Sequence, residues 1–290
     1  MTAETSFFSK LSIFMEMIKF SHTIFALPFA LTGALLAANG MPTGATITWI
    51  VLAMIGARTA AMGLNRLIDA EIDGRNPRTA NRAIPAGLIS KTFTLTIIIG
   101  SIALLLIAAA RLNPLCLKLS PLAVGFLVLY SYCKRFTSLA HLVLGICLAA
   151  APLGAWIAIR GTIDTAALVL GLLVLFWVAG FDILYALQDL EFDRAAGLHS
   201  IPVRLGVSGS LWAARIFHLA MLGLLLLLWS MLQLQLLFLI GIGICATLLF
   251  YEHWLLRKGD LSKLDAAFFS MNGYISIAVL VFTSLDLLTR

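Results

Sequence analysis

Asn65-Arg66-Leu67-Ile68-Asp69-Ala70-Glu71-Ile72-Asp73-Gly74-Arg75 closes an apolar run over 46–64, and Tyr185-Ala186-Leu187-Gln188-Asp189-Leu190-Glu191-Phe192-Asp193-Arg194 closes another over 164–187. Each stretch spaces its oxygen ligands four residues apart. On a helix, Asn65, Asp69 and Asp73 therefore share one face, as do Asp189 and Asp193. Tyr185, Asp189 and Asp193 each lie 120 residues beyond Asn65, Asp69 and Asp73, which points to two halves carrying equivalent sites. Counting Glu71 and Glu191, six carboxylates gather at two helix mouths. Such a cluster repels itself unless it holds cations or basic neighbours.

The surroundings of these clusters are set by composition. The chain of 290 residues is 61% hydrophobic and 12% charged, with a mean hydropathy of +1.01. Soluble domains carry about 25% charged residues, so this is an all-α, multi-pass membrane bundle rather than a soluble protein. A hydrocarbon core of about 30 Å needs about 20 apolar residues as helix. Nine candidate spans fall near 21–39, 46–64, 92–111, 114–133, 138–158, 164–187, 209–229, 232–251 and 266–286. The third and fourth are divided only by Arg111, Asn113 and Pro114, and the fourth contains Lys118. No linker or low-complexity stretch divides residues 1–290, so one integral membrane domain is expected.

Lys and Arg collect in the loops after the second, fourth, sixth and eighth spans. They include Arg66, Arg75, Arg78, Arg82 and Lys91, then Lys134 and Arg135, then Arg194 and Arg204, then Arg257, Lys258 and Lys263. The bias places these loops, and with them both acidic clusters, in the cytoplasm, with the C-terminus outside. The net charge of +6 sits on those loops and reflects topology and anionic lipid, not nucleic acid. Lys10 and Lys19 ahead of an apolar stretch ending at Asn39 imitate a secretory signal, but the run is long for a signal core. Cys116, Cys133, Cys147 and Cys245 form no CxxC pair and read as packing residues.

Asp and Asn oxygens without His or Cys suit magnesium, a hard ion that keeps water and accepts phosphate oxygens; they do not suit zinc. Carboxylates on both walls with a basic rim of Arg78, Arg82, Lys134 and Arg135 have the parts to hold a diphosphate. No Walker-type glycine loop is present, which argues against ATP. A diphosphate on a lipid chain fits better, because its tail lies along apolar helices or in the bilayer.

The first acidic stretch, followed by Arg78-Thr79-Ala80-Asn81-Arg82-Ala83-Ile84-Pro85-Ala86-Gly87, resembles the first signature of the UbiA prenyltransferases. The second stretch, with Gly197, His199 and Ser200, resembles the second signature, and Tyr130 to Thr137, with Tyr130, Lys134 and Arg135, resembles a shorter third motif. The resemblance spans about Lys19 to Gly206. Arg66 stands where the family often has Asp, and Gln188 and Phe192 make the second motif less acidic than in some members.

This resemblance implies a nine-helix membrane enzyme that moves a polyprenyl group from its diphosphate to an aromatic acceptor with Mg²⁺. The acid is of the 4-hydroxybenzoate type or, in a menaquinone route, the dihydroxynaphthoate type. Asn65, Asp69, Asp73, Asp189 and Asp193 are then the metal-facing residues, and Arg78, Arg82, Lys134 and Arg135 the diphosphate partners. Tyr130 or Tyr185 would shield the allylic cation. Lys19 and His22 match family positions that carry basic residues. Arg58, two turns deeper than Asn65 on the metal face, either pairs with an aspartate or meets the acceptor's carboxylate or the diphosphate. A secondary transporter is the competing class, since internal repeats and intramembrane carboxylates occur there too. Against it, both clusters lie on one side of the membrane and the repeat keeps one orientation.

Overall fold

The computed structural model describes residues 7–18, 26–256 and 270–290, and among these the chain is all helical. The elements are α1 (Phe7–Met17), α2 (Leu27–Ala38), α3 (Gly44–Ile68), α4 (Ala70–Arg75), α5 (Lys91–Leu112), α6 (Pro114–Cys133), α7 (Ala140–Arg160), α8 (Thr165–Ala186), α9 (Leu190–Ala195), α10 (Ile201–Met231), α11 (Leu236–Leu255) and α12 (Asn272–Leu288). Seven helices are long and apolar enough to cross a membrane. The helices at the first and ninth expected spans, α2 and α12, are apolar but shorter, with 12 and 17 residues. Nine crossings therefore remain an expectation, with seven of full length among the described residues.

Helix starts follow local side-chain chemistry. Thr43, Ser90, Asn113 and Ser200 each accept a hydrogen bond from a backbone N–H three residues on, which satisfies one of the donors a helix start leaves open. Asn113 separates the third and fourth expected spans: it is extended (φ −166°, ψ 167°), caps α6, and donates from Nδ2 to the Ile157 carbonyl at 2.7 Å. The fully buried Asp286 of α12 accepts from the N–H groups of Gln235 and Phe238, capping α11 from another helix. Within α10, Gly206 adopts φ 68°, ψ −174° and breaks the helix into two segments.

The centre is α8, with 72% of its apolar window buried against 17–33% for the other spans. It packs on α7 and α10, α3 packs on α5, and α2 with α12 closes the ring. Trp156, Leu170, Leu173, Trp177 and Met221 form the main core. A polar chain crosses it: Trp177 Nε1 donates to Asn272 Oδ1 at 2.8 Å, and Asn272 Nδ2 donates to Glu252 Oε1 at 3.2 Å, joining α8, α12 and α11. Lipid tails are as apolar as the side chains they replace, so association within the bilayer depends on close packing and such bonds. Gly145 shows the closeness, since an added Cβ would lie 2.6 Å from the Leu175 carbonyl oxygen on α8.

The repeat is visible in the backbone. Both acidic stretches break their helix at the equivalent aspartate, Asp69 at φ −90°, ψ 3° and Asp189 at φ −100°, ψ 4°. Each break is followed by a six-residue helix, α4 or α9. In the first half the fourfold hydrogen bonding runs on through the bend, from Asn65 to Asp69 and Asp73, so these residues keep one face. The halves then diverge: residues 76–90 separate α4 from α5, whereas only 196–200 separate α9 from α10.

Gly145→Ala is expected to destabilise the detergent-solubilised protein by about 1–3 kcal/mol through overpacking. Gly154→Ala on the same helix, where nothing lies within 4 Å of the added carbon, is expected to leave thermal unfolding unchanged or slightly raised. Equal melting temperatures for the two variants would contradict the close α7–α8 contact.

Candidate active site

One cavity of about 1190 Å³ runs between the halves, and its lining includes Asn65, Asp69, Asp73, Asp189 and Asp193. Its remaining walls are largely apolar, with Leu119, Phe126, Leu168 and Leu172 among them. Tyr130, Lys134, Tyr185, Arg58, Arg78 and Arg82 also line it. Lys19 and His22 lie outside the described residues.

Each of the four aspartates has its own basic partner. Arg78 is bidentate on Asp189, with Nε to Oδ1 at 2.8 Å and Nη2 to Oδ2 at 2.5 Å. Arg82 Nη1 meets Asp73 Oδ1 at 2.6 Å, Arg135 Nη2 meets Asp69 Oδ1 at 3.1 Å, and Lys134 Nζ lies 3.7 Å from Asp193 Oδ2. The Arg78 bond spans the two halves. The basic rim expected to face a diphosphate thus also neutralises the carboxylates. Burial raises the Asp69 carboxyl above its ordinary value, and the Arg135 guanidinium works against that rise. Burial alone would lower Arg78, but its bonds to Asp189 hold it above the usual value.

Two expectations need correction. Arg135 does not line the cavity; its guanidinium sits behind the wall, donating to the carbonyls of Ser131 and Ile68 while pairing with Asp69. Glu71 and Glu191 are exposed, so the six expected carboxylates reduce to four. The reason is helical geometry: a residue two positions from Asp69 or Asp189 sits about 200° round the helix, on the face away from the aspartates, where Glu71 pairs with Arg75.

Three further groups belong to the site. Asn76 donates from Nδ2 to Asp189 Oδ1 at 3.0 Å, while its Oδ1 accepts from the Arg78 N–H. Its counterpart in the second half is Ala196, so the repeat gave no signal for it. Arg66 lines the cavity with its Nε buried and unpartnered among the described residues. Asp182 lines it too, seven residues before Asp189, a spacing that marks the same helix face.

The donor set fits a hard cation. Among the described residues, Asp73 Oδ2 is buried without a hydrogen-bond donor, and its equivalent in the repeat, Asp193 Oδ2, meets only the Lys134 ammonium at 3.7 Å. A buried carboxylate oxygen left unpaired is costly unless something else meets it. Among the described residues no three His, Cys, Asp or Glu side chains converge as a complete metal cage. Magnesium takes one or two carboxylates and completes its shell with water and phosphate.

The UbiA prenyltransferase family model matches residues 26–274. The chain belongs to the UbiA prenyltransferase family. This UbiA-family chain is 31% identical over 248 residues to a 4-hydroxybenzoate octaprenyltransferase of Vibrio cholerae, covering 84% of this chain and 86% of the relative. It is 33% identical over 246 residues to the enzyme of that name from Idiomarina loihiensis, covering 84% and 85%. Among solved structures, the apo UbiA homolog from Aeropyrum pernix superposes with a TM-score of 0.84 at 32% identity, covering 92% of this chain and 98% of that one. A UbiA homolog from Archaeoglobus fulgidus bound to GPP and Mg²⁺ shares the fold at a TM-score of 0.72 and 20% identity, covering 96% and 100%. UbiA membership makes the chain a prenyltransferase and sets the transporter reading aside.

Magnesium with inorganic diphosphate is expected to stabilise the purified protein by about 2.7 kcal/mol when the ligand reaches about 100 times its Kd. Asp73→Asn and Asp193→Asn should each cut the thermal shift sharply. An undiminished shift in both variants would place the cation elsewhere.

Proposed function

We propose that the protein transfers a polyprenyl group from a polyprenyl diphosphate to an aromatic acid of the 4-hydroxybenzoate type in quinone biosynthesis. The observation that carries this reading is the set of four base-paired aspartates, drawn from both halves, on one largely apolar cavity. The names of the bacterial relatives support the acceptor.

Residue roles follow from the geometry. Asn65, Asp69, Asp73, Asp189 and Asp193 hold magnesium, which when bound offsets the charge growing on the diphosphate as its carbon–oxygen bond breaks. Arg78, Arg82 and Lys134 exchange their carboxylate partners for diphosphate oxygens, and Arg135 positions Asp69. Tyr130 supplies the π face for the allylic cation, because the Tyr185 ring already carries Arg78 at 5.8 Å from its centroid. Apolar walls keep water from the cation and house the prenyl tail. Arg58, whose Nε is buried and unpartnered, binds the acceptor's carboxylate. The mouth faces the cytoplasm of a bacterial inner membrane, in keeping with the Lys and Arg bias.

The deciding assay mixes detergent-purified protein with Mg²⁺, a short polyprenyl diphosphate and a panel of aromatic acids including a dihydroxynaphthoate, with products read by mass. Prenylated 4-hydroxybenzoate is the expected product; a preference for the naphthoate would move the enzyme to a menaquinone route. EDTA and Asp69→Ala should each abolish product, and magnesium should restore the EDTA-treated enzyme alone.

Arg58→Gln is expected to raise the KM of the aromatic acid by roughly 10- to 150-fold, the equivalent of about 1.5–3 kcal/mol for a lost charge-assisted bond. The KM for the prenyl diphosphate should hardly move. The reverse pattern would assign Arg58 to the diphosphate.

Orientation is open to cysteine labelling. In a background lacking the native cysteines, a cysteine at the exposed Glu71 should react with an impermeant probe only from the cytoplasmic face. Reaction from the outer face alone would invert the topology.

A further inference from the structure

Asp182 is an ionisable side chain inside a largely apolar cavity, two helical turns below the carboxylates assigned to the cation, and the roles above leave it without a task. Seven residues of helix place it about 10 Å further into the bilayer than Asp189. Charge at such depth is costly and marks function by default. Arg58 stands in the same relation to Asn65, so the cavity carries one deep cation and one deep anion. No ion pair joins them among the described residues.

A second side chain orients Asp182. His141, at the start of α7, is buried, and its Nδ1 lies 2.7 Å from Asp182 Oδ2. Its Nε2 accepts from the Ile201 N–H at 3.4 Å, one of the open donors at the start of α10. With Nε2 occupied as an acceptor, the ring proton sits on Nδ1 and is donated to Asp182. Asp182 Oδ1 takes no partner among the described residues, and the side chain keeps 17% of its surface open while His141 keeps 1%. Tyr130 and Asp182 line the same cavity, so the carboxylate opens onto the space in which the ring assigned to the allylic cation stands.

We propose that Asp182 is the catalytic base that removes the ring proton of the aromatic acceptor, and that His141 is its positioning residue. The inference rests on the reading given under Proposed function. The carbon–oxygen bond of the prenyl diphosphate breaks and its electron pair leaves with the diphosphate. A π pair of the acceptor ring, at the carbon beside the hydroxyl, forms the new carbon–carbon bond. The proton on that carbon passes to Asp182 Oδ1, and the carbon–hydrogen pair returns to the ring and restores its aromaticity. Asp182 ends as a neutral carboxyl, still bonded through Oδ2 to His141. The four cation-facing aspartates are committed to the metal and to lysine or arginine, which makes them poor proton acceptors; among the described residues Asp182 meets only the His141 ring and keeps Oδ1 open.

The test uses the full-length protein in detergent with Mg²⁺, geranyl diphosphate and 4-hydroxybenzoate, the acid being either unlabelled or deuterated at both carbons beside the hydroxyl. Asp182→Asn keeps the shape and the bond to His141 but removes the base. Its kcat is expected to fall by about 10²- to 10⁴-fold, with the acceptor KM changed by less than about threefold. The thermal shift with magnesium and inorganic diphosphate should match that of the wild type, which shows a folded site. Ring deuteration, nearly silent in the wild type, should give a primary isotope effect on kcat in Asp182→Asn, because proton removal then limits turnover. Asp182→Glu should recover part of the rate, and His141→Gln should lower kcat with a smaller isotope effect than Asp182→Asn. Wild-type turnover in Asp182→Asn, or a loss carried by the diphosphate KM without an isotope effect, overturns the assignment while leaving the prenyltransferase reading intact. A wild-type enzyme that prenylates no aromatic acid overturns both.

Discussion

The bond from Arg78 to Asp189 is the constraint on which the site depends. It joins residues 111 positions apart, one from each half, and Asn76 reinforces it on the same carboxylate. Carboxylates cannot be gathered in a membrane cavity without counter-charge, so bringing the halves together requires the basic residues to arrive with them. Removing either partner strands the other charge, at a cost that water lowers on the Arg78 side, where 34% of the side chain is open. The bases therefore serve folding and ligand binding with the same atoms. A diphosphate with its cation offers both sets a better-matched partner, so binding exchanges ion pairs rather than exposing bare charge.

The scaffold keeps this exchange local. Helix α8, the most buried span, carries Asp182 and leads into Asp189, and it is fixed by close contact at Gly145 and by the Trp177–Asn272–Glu252 chain. Neither depends on the charged mouth. Rigid helices below and short helices above leave the reactive side chains to reorganise without repacking the bundle.

The sequence made the membrane class, the helix positions and the four aspartates legible, because hydropathy over 20 residues and a fourfold spacing are strong periodic signals. The fourfold spacing held through the bend at Asp69, where backbone bonds run on from Asn65 to Asp73 and the Asn65 side chain donates to Asp69. Counting Glu71 and Glu191 with the aspartates was the misreading, since a residue two positions along projects from the opposite face, and both are exposed. Asn76 was illegible for a different reason: its contact is long-range and its counterpart in the repeat is alanine. Asp182 stood at a readable helical spacing, but only the fold brings His141, 41 positions away, to its side. Arg135 looked like its neighbour Lys134, but in the turn that follows α6 the Arg135 guanidinium is taken up by the carbonyls of Ser131 and Ile68.

The unequal connections after α4 and α9 carry a consequence for the ancestry of such a site. If the halves descend from one duplicated unit, the acidic stretch was inherited twice, but the basic loop of residues 76–90 has no counterpart in 196–200. That one loop supplies Arg82 to Asp73 in its own half and Arg78 to Asp189 in the other. Twofold symmetry is broken by a single segment, and the two halves are no longer interchangeable. Drift in the loop alters both walls at once, whereas the second connection, through Leu198 and His199, meets only the Asp193–Lys134 side, so the two copies of the motif evolve under unequal constraint.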